Sequence, residues 1–134
     1  MVFDRLPVVT VIFALIAAAI HLYIFVLESV LFRRPFGWRT FGVKDQQDAD
    51  TIRPWAFNQG FYNLFLALGA VIGVLLASGT QPAIIGAGVG MVLLSTGSMV
   101  AAAVVLLITR PALLRAVAVQ GVAPLIAVVT LLLR

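Results

Sequence analysis

The chain has 134 residues, 63% of them hydrophobic and 10% charged, with a formal net charge of +4 and a mean hydropathy of +1.15. A soluble domain carries about 25% charged residues, so the composition excludes a water-facing globule and leaves one small all-α integral membrane domain. Cysteine is absent and histidine occurs once, which excludes a disulfide framework, a thiolate nucleophile and a cysteine-based metal site; no metal or cofactor is expected. The basic balance fits arginines flanking membrane spans better than nucleic-acid binding.

The first apolar run predicts a span over residues 7–32. Pro7 suits a first helical turn, where a missing N–H is no loss. Arg33, Arg34 and Pro35 stop the run, since proline disfavours helix at the residue before it. Ala17-Ala18-Ala19 resembles a signal cleavage site, but Asp4 spoils the basic n-region and the apolar run continues past the alanines. A retained span is therefore expected.

Residues 33–54 read as the one substantial loop. Arg33, Arg34, Arg39, Lys44 and Arg53 alternate with Phe36, Trp38 and Phe41, as in a segment lying at the headgroup level; a lid over a substrate is the alternative. Span two is expected over 55–76, beginning after Pro54 with Trp55, Phe57, Phe61 and Tyr62. Ser78-Gly79-Thr80-Gln81-Pro82 is a tight uncharged turn. Span three follows over 83–108, and Gly86 with Gly90, like Gly69 with Gly73 in span two, has the spacing that lets helix backbones approach. Thr109-Arg110-Pro111 ends it, and span four runs over 112–133.

Four such spans give a bundle ordered up-down-up-down. The loops after spans one and three hold Arg33, Arg34, Arg39, Lys44, Arg53, Arg110 and Arg115; the other side has Arg5 and Arg134. The positive-inside rule then places both termini on the non-cytoplasmic side.

Polar residues inside such spans are costly unless they meet partners or water. His21 and Glu28 lie nearly two helical turns apart on one face. Asn58 with Tyr62, and Gln59 with Asn63, are i,i+4 pairs on adjoining stripes. Depths counted at about 1.5 Å per residue place Glu28 and Asn58 roughly 5–8 Å in, Asn63 and Gln120 roughly 12–14 Å, and His21 roughly 18 Å. The expected ligand-binding set is therefore His21, Glu28, Asn58, Gln59, Tyr62, Asn63 and Gln120, converging on one cavity. Asn, Gln and Tyr also serve as interhelical glue. Glu28 has fewer such uses: it pairs with Arg115 or Arg53, is neutralised by a proton, or meets a cationic ligand.

HLYIFVLE in the first span, RRPFGWRTFG in the loop and NQGFYNLFLALG in the second span resemble a known family, the small bacterial integral membrane proteins of domain of unknown function 1304. That pattern has His-x-Tyr-Ile-x-x-x-Glu, an arginine-rich loop ending in Phe-Gly, Asn-Gln-Gly-x-Tyr-Asn, and a Gln-Gly/Ala-x-Pro-like feature in the last span. His21, Tyr23, Ile24, Glu28, Asn58, Gln59, Gly60, Tyr62, Asn63, Gln120 and Gly121 stand at the matching positions. The chain departs from it in the acidic stretch Asp45–Asp50 and in a third span poor in polar and aromatic residues. The resemblance implies a four-helix fold in the bacterial inner membrane and no particular chemistry.

Three functions compete. The bundle binds a lipid or hydrophobic small molecule by its head group, or serves as an accessory subunit of a larger membrane complex or as a homo-oligomer. Alternatively it is a small proton-coupled transporter working through Glu28. A third reading is an intramembrane acid/base enzyme using His21 and Glu28 on a lipid-soluble substrate, but those groups are about 10 Å apart along the axis, and no nucleophile constellation or phosphate loop supports a reaction. The binding or accessory reading is preferred over catalysis.

Overall fold

The computed structural model describes residues 5–134. Asp4, on which part of the retained-span argument rests, lies outside them. Among the described residues there are five α-helices: α1 (Val8–Phe25), α2 (Pro35–Arg39), α3 (Gln46–Ala77), α4 (Pro82–Thr109) and α5 (Leu114–Leu132). A π-helical turn, Val26–Val30, continues α1, and a 3-10 turn, Pro111–Leu113, precedes α5. Among the described residues there is no strand.

Among the described residues four stretches are long and apolar enough to cross a membrane: Val8–Val30, Gln46–Ala77, Pro82–Thr109 and Pro111–Leu132. Large side chains such as Leu75, Leu94, Val105 and Ile108 are exposed along them. In water so much apolar surface drives association; hydrocarbon solvates it. The chain is a multi-pass membrane protein.

The chain folds as two compact units, one joining the chain up to Ile20 to Leu66–Arg134, the other being His21–Phe65. The first holds a bundle core drawn from four helices: Ala14 of α1, Val74 and Ala77 of α3, Val89 and Val92 of α4, and Ala127 and Leu131 of α5. Alanines dominate the next layer, where Ala17, Ala18, Ala67, Ala70 and Ala123 surround Met99. Oil gives helices no hydrophobic reason to associate, so close backbone approach and van der Waals contact must do it, and small residues permit that approach. Gly88 illustrates the limit: a Cβ there would run into the Ala77 backbone nitrogen and come within 2.6 Å of the Gly73 carbonyl oxygen.

The Gly69 and Gly73 spacing does mark packing, against Ser95 and Val92 respectively. The Gly86 and Gly90 spacing does not: a Cβ at either would meet nothing within 4 Å. The spacing identifies one face of a helix, and in α4 it is Gly88, two residues away from each, that turns inward. A partly buried polar tie joins α1 to α5. Thr130 Oγ1 donates to the Ile126 carbonyl at 2.8 Å, so Thr10 Oγ1 donates the 2.8 Å bond between the two hydroxyls.

The second unit corrects the reading of residues 33–54 as a loop. Pro35 opens α2, and α3 begins at Gln46, upstream of Pro54, which stands inside the helix. Asp45 is the reason α3 starts there: its carboxylate accepts the Asp48 amide at 2.9 Å and its carbonyl accepts Ala49 at 3.2 Å, satisfying donors that a helix start leaves open. Nor do the ring side chains form an outward row. Trp38 is 3% exposed and packs with Phe32 and Ala49, with Phe41, Val43 and Ala56 against them; Phe36 remains exposed. The Arg39 guanidinium lies 5.2 Å from the Trp38 ring centroid, and the Trp38 indole Nε1 is buried without a hydrogen-bond partner among the described residues.

Candidate functional site

The site is built where the π-helical turn packs on α3 inside the second unit. An α-helix ordinarily closes each turn by an i to i+4 bond; here the Leu31 amide reaches back to the Val26 carbonyl at 2.8 Å. The wider turn puts Glu28 and Ser29 on faces that an unbroken 3.6-residue repeat would not give them, and such turns recur at functional sites. Both residues use the new position. Ser29 Oγ donates to the Phe57 carbonyl at 2.9 Å. Glu28 Oε2 accepts the Asn63 Nδ2 at 2.8 Å.

Gly60 is what lets the turn come this close. A Cβ there would collide with Ser29 Oγ and approach Glu28 Cβ to 3.1 Å. One helical repeat on, buried Asn63 also directs Nδ2 to the Gln59 backbone carbonyl at 3.3 Å. Its amide thus has a main-chain acceptor on its own helix and a carboxylate on the opposite element. Around this contact Phe61 stacks edge-on with Phe25 at 5.2 Å and sits 5.1 Å from Phe57, which fixes the spacing of the turn from α3.

Beside the contact opens a cleft of about 660 Å³ lined by Glu28, Ser29, Val30, Phe32, Arg33, Arg53, Pro54 and Phe57. Its lining residues are mixed: an acid, a serine and two arginines among aliphatic and aromatic residues. The volume falls within the range of about 300–1,000 Å³ typical of small-molecule sites. Arg53 and Pro54 reach the cleft from within α3.

Of the residues singled out from the sequence, Glu28 lines this cleft and Asn63 holds it. His21 is buried near the end of α1. Asn58, Gln59 and Tyr62 are exposed on α3, and the structure does not gather them around Glu28. The reason is helical phase: Gly60, Asn63, Ala67 and Ala70 form the buried stripe, and at 100° per residue Asn58 and Tyr62 fall on the far side of it. Gln120 is half-buried on α5, in the other unit. Sequence reasoning missed Ser29 and Phe57 as site residues. Ser29 stood beside Glu28 in plain view, but no local signal announces a π-helical turn.

The arrangement defines a class of protein: a multi-pass helical membrane protein with a polar, two-signed cleft beside a partly buried Glu–Asn contact. More particularly, the chain belongs to the family described as protein of unknown function (DUF1304), whose model matches residues 15–132. No curated protein and no solved structure gives a match.

Proposed function

We propose that the protein binds a lipid or another hydrophobic ligand by its head group, in the cleft beside Glu28. The observation that carries this reading is the hydrogen bond from Asn63 to Glu28 at the margin of a cleft with apolar walls. A carboxylate this far inside an apolar segment is expensive to keep, and a stabilising amide together with room for a ligand gives it a use. In this reading the four spans alternate in direction in the bacterial inner membrane, with both termini on the non-cytoplasmic side. Exposed Asn58, Gln59 and Tyr62 then lie along the outer face of α3, where they meet the ligand's flank or the interface.

Native mass spectrometry of the protein released from its own membrane lipids tests this. Retention of a lipid-sized adduct by the wild-type chain, weakened in Asn63→Leu, is the expected result. A protein released as the bare chain under conditions that preserve other lipid complexes overturns it.

A second reading, as an accessory subunit of a larger membrane complex or a homo-oligomer, draws support from α4. An added Cβ at Gly86, Gly90 or Gly97 would meet nothing within 4 Å, so this face would accept a helix backbone at close range. The chain has no native cysteine, so a single cysteine at Gly90 gives a clean cross-linking probe in membranes. A cross-linked species of defined mass supports the reading, and only monomer counts against it.

A further inference from the structure

Resting on the lipid-binding reading above, we propose that the head group taken by the cleft carries both charges, a phosphodiester and a primary ammonium, as in a phosphatidylethanolamine. The cleft holds one acid, Glu28, and two bases, Arg33 and Arg53, within a single volume of about 660 Å³. Guanidinium groups present paired N–H donors that match the oxygens of a phosphate. An anionic head group without an amine satisfies the arginines but sets its remaining oxygens against Glu28. A cationic amphiphile without a phosphate satisfies Glu28 and is opposed by two guanidiniums. Only a head group of both signs meets all three.

The acceptors on the acid side also choose the kind of amine. A carboxylate has about four acceptor positions, of which Asn63 takes one on Oε2. Ser29, whose hydrogen is donated to the Phe57 carbonyl, adds a hydroxyl oxygen with acceptor capacity among the lining residues. Acceptors reward N–H donors. A primary ammonium supplies three, whereas a trimethylammonium supplies none and is held instead by cages of several aromatic rings. Phe32 and Phe57 are the aromatic residues of the lining, and Phe32 is 3% exposed, which leaves Phe57 as the one ring offered and no cage. The apolar lining instead suits the glycerol and the first methylenes of an acyl chain.

The test uses the full chain in nanodiscs with identical acyl chains and ethanolamine, choline or glycerol head groups, reading retained lipid by native mass spectrometry. Ethanolamine lipid should be retained about tenfold over each of the other two, the factor expected for one charge-assisted hydrogen bond. Glu28→Gln, which keeps an oxygen for Asn63, should erase the preference for ethanolamine over choline. Arg33→Gln with Arg53→Gln should lower retention of all three lipids while leaving thermal stability unchanged. Best retention of the glycerol or choline lipid, or an ethanolamine preference that survives Glu28→Gln, overturns this proposal while leaving lipid binding in place. Retention of no lipid by the wild-type chain overturns both.

Discussion

Asn63 on α3 donates a 2.8 Å hydrogen bond to Oε2 of Glu28 on the π-helical turn, although 35 residues separate them in the chain. The contact binds two elements through groups that neither could leave bare in hydrocarbon. Removing one partner strands the other, whereas replacing both by apolar groups strands nothing. Asn63→Leu is therefore expected to lower stability by about 1–3 kcal/mol, and Glu28→Leu in that background should restore much of it. Thermal unfolding in detergent micelles gives the double-mutant cycle. Effects of the two changes that simply add, within about 0.5 kcal/mol, would show that the residues do not act as a pair.

Gly60 sets how near the turn comes to α3. Its Cβ would strike Ser29 Oγ first, and a misfit of this kind in a packed interior costs about 1–3 kcal/mol. Gly60→Ala is accordingly expected to destabilise despite the better helix propensity of alanine. Because the obstructing atom is a side-chain hydroxyl, Ser29→Ala should relieve part of the loss. Unfolding midpoints of the two single variants and the double variant decide it: no relief from Ser29→Ala would mean that the backbones, not the hydroxyl, are in conflict.

The spans were legible because twenty-odd apolar residues bounded by arginine and proline leave few alternatives, and α4, expected over 83–108, forms as Pro82–Thr109. Glu28 and Asn63 were legible as residues that could not face oil unpartnered. What the sequence hid lies in two places. Pro54 looked like a helix start, but α3 runs through it, and Asp45 supplies the start upstream. The convergence expected of Asn58, Gln59 and Tyr62 with Asn63 rested on shared depth and i,i+4 spacing, but Asn58 and Tyr62 stand on the far side of the stripe that buries Gly60 and Asn63, and Gln59 is exposed although it lies one turn before Asn63. Membership in the family was carried by motifs, and motifs do not state which way a side chain faces.

Trp38 separates an interfacial anchor from a core residue. Anchoring tryptophans keep the indole N–H at the wet end, but here Nε1 is buried without a partner in a side chain 3% exposed. Trp38→Phe removes the unpartnered donor and keeps most of the ring, so stability should change by less than about 1.5 kcal/mol. Trp38→Ala should lose about 3–5 kcal/mol through the cavity left between Phe32 and Ala49. Chemical unfolding in micelles checks both. A large loss in Trp38→Phe would mean that the indole nitrogen has a partner in the membrane-embedded protein.

The glycines of α4 predict opposite signs for the same substitution two residues apart. At Gly88 a Cβ would press on backbone atoms of Ala77 and Gly73, which cannot rotate away, so α3 and α4 must separate along the layer that holds Val74, Val89 and Val92. A loss of about 1–3 kcal/mol is expected for Gly88→Ala. At Gly90 the Cβ would enter open space, and alanine should bring about 0.5–1 kcal/mol of stabilisation through the lower backbone freedom of the unfolded helix. Melting temperatures of the two variants in micelles measure the contrast for the isolated chain. Repeating the Gly90→Ala measurement in native membranes adds a second reading: stabilisation in micelles turning to destabilisation in membranes means that another helix lies against this face of α4, at the close range only glycine permits.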